Sequence, residues 1–357
     1  MVAPHSALRQ QAQHFSEISS VITPLVDVLA RPLRDLRMSV IDRCNFRCTY
    51  CMPLKSPNGD SKFLTMRELL SDAEIERLVE AFVSLGVDKI RLTGGEPLLR
   101  PGLACLIERI ARISGVADLA LITNGILLPQ MAQDLADAGL GRITVSLDSL
   151  DEHVFAKMTG GRGMVGRVLE GIEAAEKAGF TGLKINTVVQ RGVNDHTVMD
   201  MVSHFHGSGH TLRLIEFMDV GNDNNWNSDL VVPGSEWLKR IHDRWPLRPV
   251  ASHYPGETAR RYAFEDGAGE IGLINSITEP FCGHCSRARV TADGMLYTCL
   301  FSGQGTNLRP LLLDDYDPNA LEQGLRFAWS KRLDMYSKKR NLQNDPEPKI
   351  EMYRMGG

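Results

Sequence analysis

Six short apolar runs, each followed by an amphipathic stretch, constrain this 357-residue chain more than any other feature. The runs fall at 35–41, 88–93, 117–123, 142–147, 183–189 and 211–217. Stretches of helical period lie at 66–84, 102–113, 129–138, 164–178 and 195–206. Strand then helix, repeated six times, predicts an α/β fold: a parallel sheet with helices outside it. Six units rather than eight predict an incomplete (βα)6-type barrel with an open side. After Phe217 the pattern changes. Residues 218–235 are rich in Asn, Asp and Gly and read as a long surface loop. Extended runs follow near 258–277, then a hairpin turning at Ala292-Asp293-Gly294. This C-terminal α+β segment is expected to close the barrel. The predicted organisation is an N-terminal arm over 1–30, a partial barrel over 31–217 and a C-terminal domain over 218–357.

Seven cysteines form two groups of three, Cys44, Cys48, Cys51 and Cys282, Cys285, Cys299, with Cys105 left over. An odd, clustered set in a chain of this length does not read as a disulfide framework. The first thirty residues lack a basic start followed by an apolar stretch, so a reducing, cytoplasmic setting is expected. No run of eighteen apolar residues occurs, which argues against a membrane-spanning helix. A net charge of −4 argues against a basic nucleic-acid coat. Cys105 falls on the predicted apolar face of a helix and reads as a core residue.

The first triad has the spacing Cys-x3-Cys-x2-Cys and directly follows the first strand, where a barrel's functional loops emerge. Three thiolates can hold three irons of a [4Fe–4S] cluster and leave the fourth open; a zinc site completed by a distant histidine is the alternative. The second triad, Cys-x2-Cys-x13-Cys with His284 inside it, suits either zinc or a second such cluster.

Strand parity points to a ligand. Ile90 and Leu92 should face the helices, which turns Lys89, Arg91 and Thr93 into the lumen. The same parity puts Arg37, Lys184 and Arg213 inside, and Arg287 and Arg289 alternate with Ala288 and Val290. Burying an unpaired cation costs several kcal/mol, so a lumen holding several should be wet and filled by an anion. A polyphosphate matches arginine forks. The competing reading pairs these cations with Asp42, Asp148 or Glu216.

The string CNFRCTYC, residues 44–51, resembles the motif of the radical S-adenosylmethionine (SAM) superfamily, with Tyr50 before its last cysteine. Thr93-Gly94-Gly95-Glu96-Pro97 resembles that superfamily's GGEP element. Together with RPLRDLRMSVIDRCNFRCTYCMP, VSLDSLD, IEFMDVGNDN, FCGHCSRARVTADG and a terminal Gly356-Gly357, the chain is similar to the GTP 3′,8-cyclase family of molybdenum cofactor biosynthesis, from about Arg31 to Gly357. The resemblance implies two [4Fe–4S] clusters. The first, on Cys44, Cys48 and Cys51, would cleave SAM; the second, on Cys282, Cys285 and Cys299, would bind guanine. A 5′-deoxyadenosyl radical would abstract the ribose C3′ hydrogen, and C3′ would attack C8. The implied product is 3′,8-cyclo-7,8-dihydroguanosine triphosphate, passed to cyclic pyranopterin monophosphate synthase. By motif position, SAM would contact Tyr50, Gly95, Ser146 and Met218. GTP would contact Arg37, Arg91, Ile122, Lys184, Arg287, Ala288 and Arg289. Ile122 departs from the family, which usually has threonine there: a contact through the hydroxyl would be lost, while a backbone contact could survive. By the same analogy the Gly-Gly tail reaches into the active site, a flavodoxin or ferredoxin supplies electrons, and a homodimer is an open arrangement. No protein acid or base is assigned beyond the clusters. Two rivals stand beside this reading: a peptide-modifying radical SAM enzyme with an auxiliary cluster, and a non-catalytic zinc-binding module.

Overall fold

A computed structural model describes residues 25–54, 63–313, 315–340 and 348–356. The first 24 residues of the expected arm and Gly357 lie outside these. The six predicted runs form β1 (Asp35–Ser39), β2 (Lys89–Thr93), β3 (Asp118–Thr123), β4 (Arg142–Ser146), β5 (Lys184–Val189) and β6 (Thr211–Glu216). The C-terminal segment adds β7 (Leu247–Val250), β8 (Arg260–Phe264), β9 (Glu270–Ile274), β10 (Arg287–Val290), β11 (Met295–Tyr297) and β12 (Thr306–Asn307). All belong to one sheet, ordered β12-β11-β10-β1-β2-β3-β4-β5-β6-β9-β8-β7. β10 lies parallel beside β1, and β9 parallel beside β6. The C-terminal segment therefore extends both edges of the barrel sheet, and the hydrogen-bonded ladder does not close into a ring.

Parity sets the layers. Leu36, Met38, Ile90 and Leu92 are fully buried against the helices, leaving the alternate residues of β1 and β2 for the lumen. The outer helix Asp72–Ser84 starts at a capping box, in which Ser71 and Glu74 each satisfy the other's backbone N–H. Helix Leu103–Ala111 buries Leu103, Leu106, Ile107 and Ile110, a 3.6-period stripe. Cys105 lies off that stripe and is exposed, which corrects its reading as a core residue. A short helix, Glu152–Met158, capped by Asp151, was too brief to show a period in the sequence.

The Asn-rich segment after β6 is not a simple surface loop. Asp219, Val220 and Asp223 are buried, and Asn222 bonds the backbone of Lys349 and the Glu351 carboxylate. Its polar side chains tie down the end of the chain, a use that composition does not reveal. The last residues of the expected arm are also held: Leu25 N–H donates to Leu85 O (3.2 Å) and Leu33 N–H to Leu25 O (2.7 Å). No helix among the described residues is long and apolar enough to cross a membrane.

Candidate active site

Strand direction places the two cysteine triads. The first sits on the loop leaving the C-terminal end of β1. Cys282 and Cys285 enter β10 at its N-terminal end, and Cys299 follows the antiparallel β11. Because β1 and β10 run parallel, the triads occupy opposite ends of the lumen. A single cavity touches Tyr50, Ser146 and Met218 at one end and Cys282, Cys285 and Cys299 at the other.

The first loop is built from its neighbours. Helix Glu152–Met158 and its cap hold it, with Arg47 N–H on Thr159 O (3.1 Å) and Thr49 N–H on Met158 O (2.9 Å). Asn124 Nδ2 donates to Asn45 Oδ1 (2.7 Å). The GGEP backbone runs along the same loop, with Gly95 N–H on Ile41 O and Glu96 N–H on Arg43 O, both 2.7 Å. Side chains at either glycine would not fit. A Cβ on Gly94, whose φ is +147°, would lie 2.2 Å from Ile41 O, and one on Gly95 2.2 Å from Arg43 O. Burial pushes the Glu96 carboxyl up to about 7, although Thr123 Oγ1 and two backbone N–H groups donate to it.

All six triad cysteines are free and half-buried. Burial raises the thiol pKa values of Cys48 and Cys51, and the neighbouring triad sulfurs raise them further. Thiols held protonated by burial and by a neighbouring sulfur fit a shared cationic group that would deprotonate them. Cys285 differs. Burial alone would raise it, but the Arg287 and Arg332 cations bring it down to about 6, and Arg287 Nη2 donates to its sulfur (3.2 Å). Among the described residues no three ligating side chains converge as a single ion requires. A cubic cluster instead takes each thiolate on a separate iron.

Between the triads lies a row of cations. The in-register pairs Arg37↔Arg289 and Arg37↔Arg91 set three arginines side by side on adjacent parallel strands, about 4.8 Å apart along the ladder. Burial lowers the Arg37 pKa well below its usual value, and Arg289, Arg91 and Arg287 lower it further. Arg213 falls to about 9 and Arg289 to about 10, for burial first and like charges second. Lys184, in an adjoining cavity with Lys89 and Arg142, falls to about 7.

The carboxylates expected to neutralise these groups are engaged elsewhere. Asp42 accepts from Leu64 N–H, and Asp148 from Tyr50 Oη and Val188 N–H. Glu216 accepts from Gly234, Ile277 and Thr278. Among the described residues only the outer cations of this group find acids: Lys89 lies near Asp35 and Asp118, and Arg142 pairs with Asp118. The Nε atoms of Arg91 and Arg213 are buried without a partner among the described residues. Among the described residues the lumen therefore carries an excess of buried positive charge.

Ile122 lines the main cavity, so its side chain meets whatever lies there. Ala288 turns its methyl into the hydrophobic core, which leaves only its backbone for a ligand. Gly356 is buried, with its carbonyl accepting from Arg289 Nη1 (2.9 Å). The sequence reading missed Arg31 and Arg332, which also line the cavity. They lie outside every strand, where no periodicity marks them.

Comparisons with known proteins bear on this geometry. Residues 38–205 match the Radical SAM superfamily, and residues 210–338 match the family described as Molybdenum Cofactor Synthesis C. The chain is 53% identical over 334 residues to the GTP 3′,8-cyclase of Xanthomonas campestris pv. campestris (strain B100), covering 94% of this chain and 98% of that one. It is 43% identical over 335 residues to the GTP 3′,8-cyclase of Staphylococcus epidermidis (strain ATCC 35984), covering 93% and 98%. Among solved structures, Streptococcus suis SuiB bound to S-adenosylmethionine superposes with a TM-score of 0.59 at 12% identity, over 91% of this chain and 77% of that one. That likeness concerns the fold alone. With relatives this similar over nearly its whole length, the chain belongs to the GTP 3′,8-cyclase family of the radical SAM superfamily.

Proposed function

We propose that this protein is a radical SAM lyase that converts GTP to 3′,8-cyclo-7,8-dihydroguanosine 5′-triphosphate, the first step of molybdenum cofactor biosynthesis. The observation that carries this reading is the row Arg289, Arg37, Arg91, unpaired by any carboxylate among the described residues and set between two thiol triads. Cys44, Cys48 and Cys51 would hold one [4Fe–4S] cluster, and Cys282, Cys285 and Cys299 a second. When bound, the first supplies the electron that cleaves SAM to methionine and a 5′-deoxyadenosyl radical.

The chain's own residues position and shield. Tyr50, Ser146, Met218 and the backbone at Gly95 would seat SAM beside the first triad. The arginine row, with Lys184 and Arg213, would grip the triphosphate through charge-assisted hydrogen bonds. Guanine would then lie toward the second triad, and the ribose between the two anchors. Fixing both ends confines the reaction to the nearest C–H bond, because a carbon radical selects by proximity. Ile122, Val188, Ile215 and Ile274 line the cavity and would keep water from the radical. A flavodoxin or ferredoxin would supply the electron, and cyclic pyranopterin monophosphate synthase would take the product.

The test is anaerobic reconstitution, iron and sulfide analysis, and incubation with GTP, SAM and dithionite. About eight irons per chain and a cyclised GTP product are expected. Four irons, or SAM consumed with GTP recovered intact, would overturn the reading.

A further inference from the structure

Behind the second triad lies a buried ionic group that the proposed chemistry does not use. Asp27, Arg31 and Arg332 have side chains at most 1% exposed. Asp27 Oδ2 accepts from Arg31 Nε (2.6 Å) and Arg332 Nη1 (3.5 Å). Arg31 Nη1 donates to Cys282 O (2.9 Å) and Asp334 O (2.7 Å), while Arg332 Nη1 donates to Cys285 O (2.6 Å). The two guanidinium groups thus take the carbonyls at both ends of the Cys282–Cys285 knuckle. Arg332 also lies over the Trp329 ring, 4.5 Å from its centroid, and Trp329 Nε1 donates to Arg31 O (3.3 Å). Arg31 Nη2 is buried without a partner among the described residues.

Two buried guanidiniums on one carboxylate are a poor way to gain stability, since an apolar trio of similar volume usually does as well or better. Their directed contacts give them another use. We infer that Asp27, Arg31 and Arg332 are positioning residues for the second triad. They fix its knuckle before anything binds, and their positive charge favours the reduced form of the cluster held there. Asp334 tempers this charge from the outer side, where its 28% exposed carboxylate meets Arg332 Nε (3.3 Å) and Thr298 Oγ1 (2.6 Å). Hydrogen bonds and nearby charge are the levers by which a protein sets such a potential. The inference rests on the reading that the second triad carries a cluster.

The test uses the full chain, reconstituted anaerobically, with the second cluster followed by electron paramagnetic resonance in a redox titration. Arg332→Gln should move its midpoint potential downward, and Asp27→Asn should move it upward. SAM cleavage without GTP, which reports on the first cluster, should hold in both. A merely structural role does not predict opposite signs. Unmoved potentials, or shifts of one sign in both variants, would overturn the inference. Should Arg332→Gln not accumulate, Arg332→Lys decides: it keeps the charge but not the forked contacts. Iron should then leave the second cluster to a chelator several-fold faster at an unchanged potential, and an unchanged rate is the contrary result. A wild-type chain with only four irons would instead defeat the two-cluster reading itself.

Discussion

Replacing Arg37 by methionine should make the ligand-free protein more stable and a worse binder of GTP. Arg37 has an arginine on either side in strict register, Arg289 and Arg91, and no ion pair or hydrogen bond offsets its charge among the described residues. Like charges about 8 Å apart at an effective dielectric of about 20 repel by about 2 kcal/mol, the order of magnitude expected from each neighbour. Cavity water screens part of this, so the pair together costs about 2 kcal/mol. Methionine fills a similar length and removes both repulsions, as replacement of buried charges by apolar residues often does. In a chain of 357 residues about 2 kcal/mol corresponds to a melting-point gain of roughly 3 °C. The same change removes a charge-assisted contact to phosphate of about 1.5–3 kcal/mol, a 10- to 150-fold loss of affinity. Anaerobic thermal unfolding and calorimetric GTP binding measure the two effects. A lower melting point with unchanged affinity would refute the reasoning, because it would mean that Arg37 is paired and structural.

Lys184 predicts a pH dependence. Its folded pKa is lowered to about 7 from 10.5, so the free site is charged below pH 7 and loses its proton above it. Bound phosphate restores the charge, so GTP affinity should be flat below pH 7 and fall up to tenfold per unit above it. Proton uptake at pH 8 should appear as a buffer-dependent heat of binding and vanish in Lys184→Met. The same sign governs folding: a lowered lysine pKa costs the free protein stability as pH falls from 10.5 toward 7. Cys48→Ala should abolish 5′-deoxyadenosine formation and halve the iron content, whereas Arg91→Ala should weaken GTP binding more than tenfold and leave SAM cleavage in place; equal loss of both activities in Arg91→Ala counts against the division of the site. Asp219 accepts from Tyr336 Oη (2.6 Å), Arg340 Nε (3.0 Å) and Lys349 Nζ (2.8 Å), so Asp219→Asn should release the terminal segment. Hydrogen exchange over 348–356 should rise, and cyclised product should fall further than 5′-deoxyadenosine; unchanged exchange would show that the tail is held by other contacts.

Much of the fold was legible from local pattern. Period-2 alternation in runs such as Lys89–Thr93 identified the strands and the residues facing the lumen, because the pleat leaves a side chain no other choice. The spacing of Cys44, Cys48 and Cys51 after the first strand located one end of the site. Other features had no local signal. Cys105 was misplaced because a one-residue step, about 100° around the helix, separates it from the buried Leu106. The Asn-rich run after β6 looked solvated because its partners, Lys349 and Glu351, lie more than a hundred residues away.

Sequence alone determined the strand–helix alternation, the lumen-facing cations and the two thiol triads. Tertiary structure decided that β10 would lie beside β1 rather than close the barrel's far edge. That pairing brings Arg289 next to Arg37, and among the described residues neither has a carboxylate partner. It also brings Asp27 and Arg332 together behind Cys285. The physical reason is range: the pleat and the helical turn act between neighbours, whereas strand order follows from burying the whole apolar face at once, a property that no single segment carries.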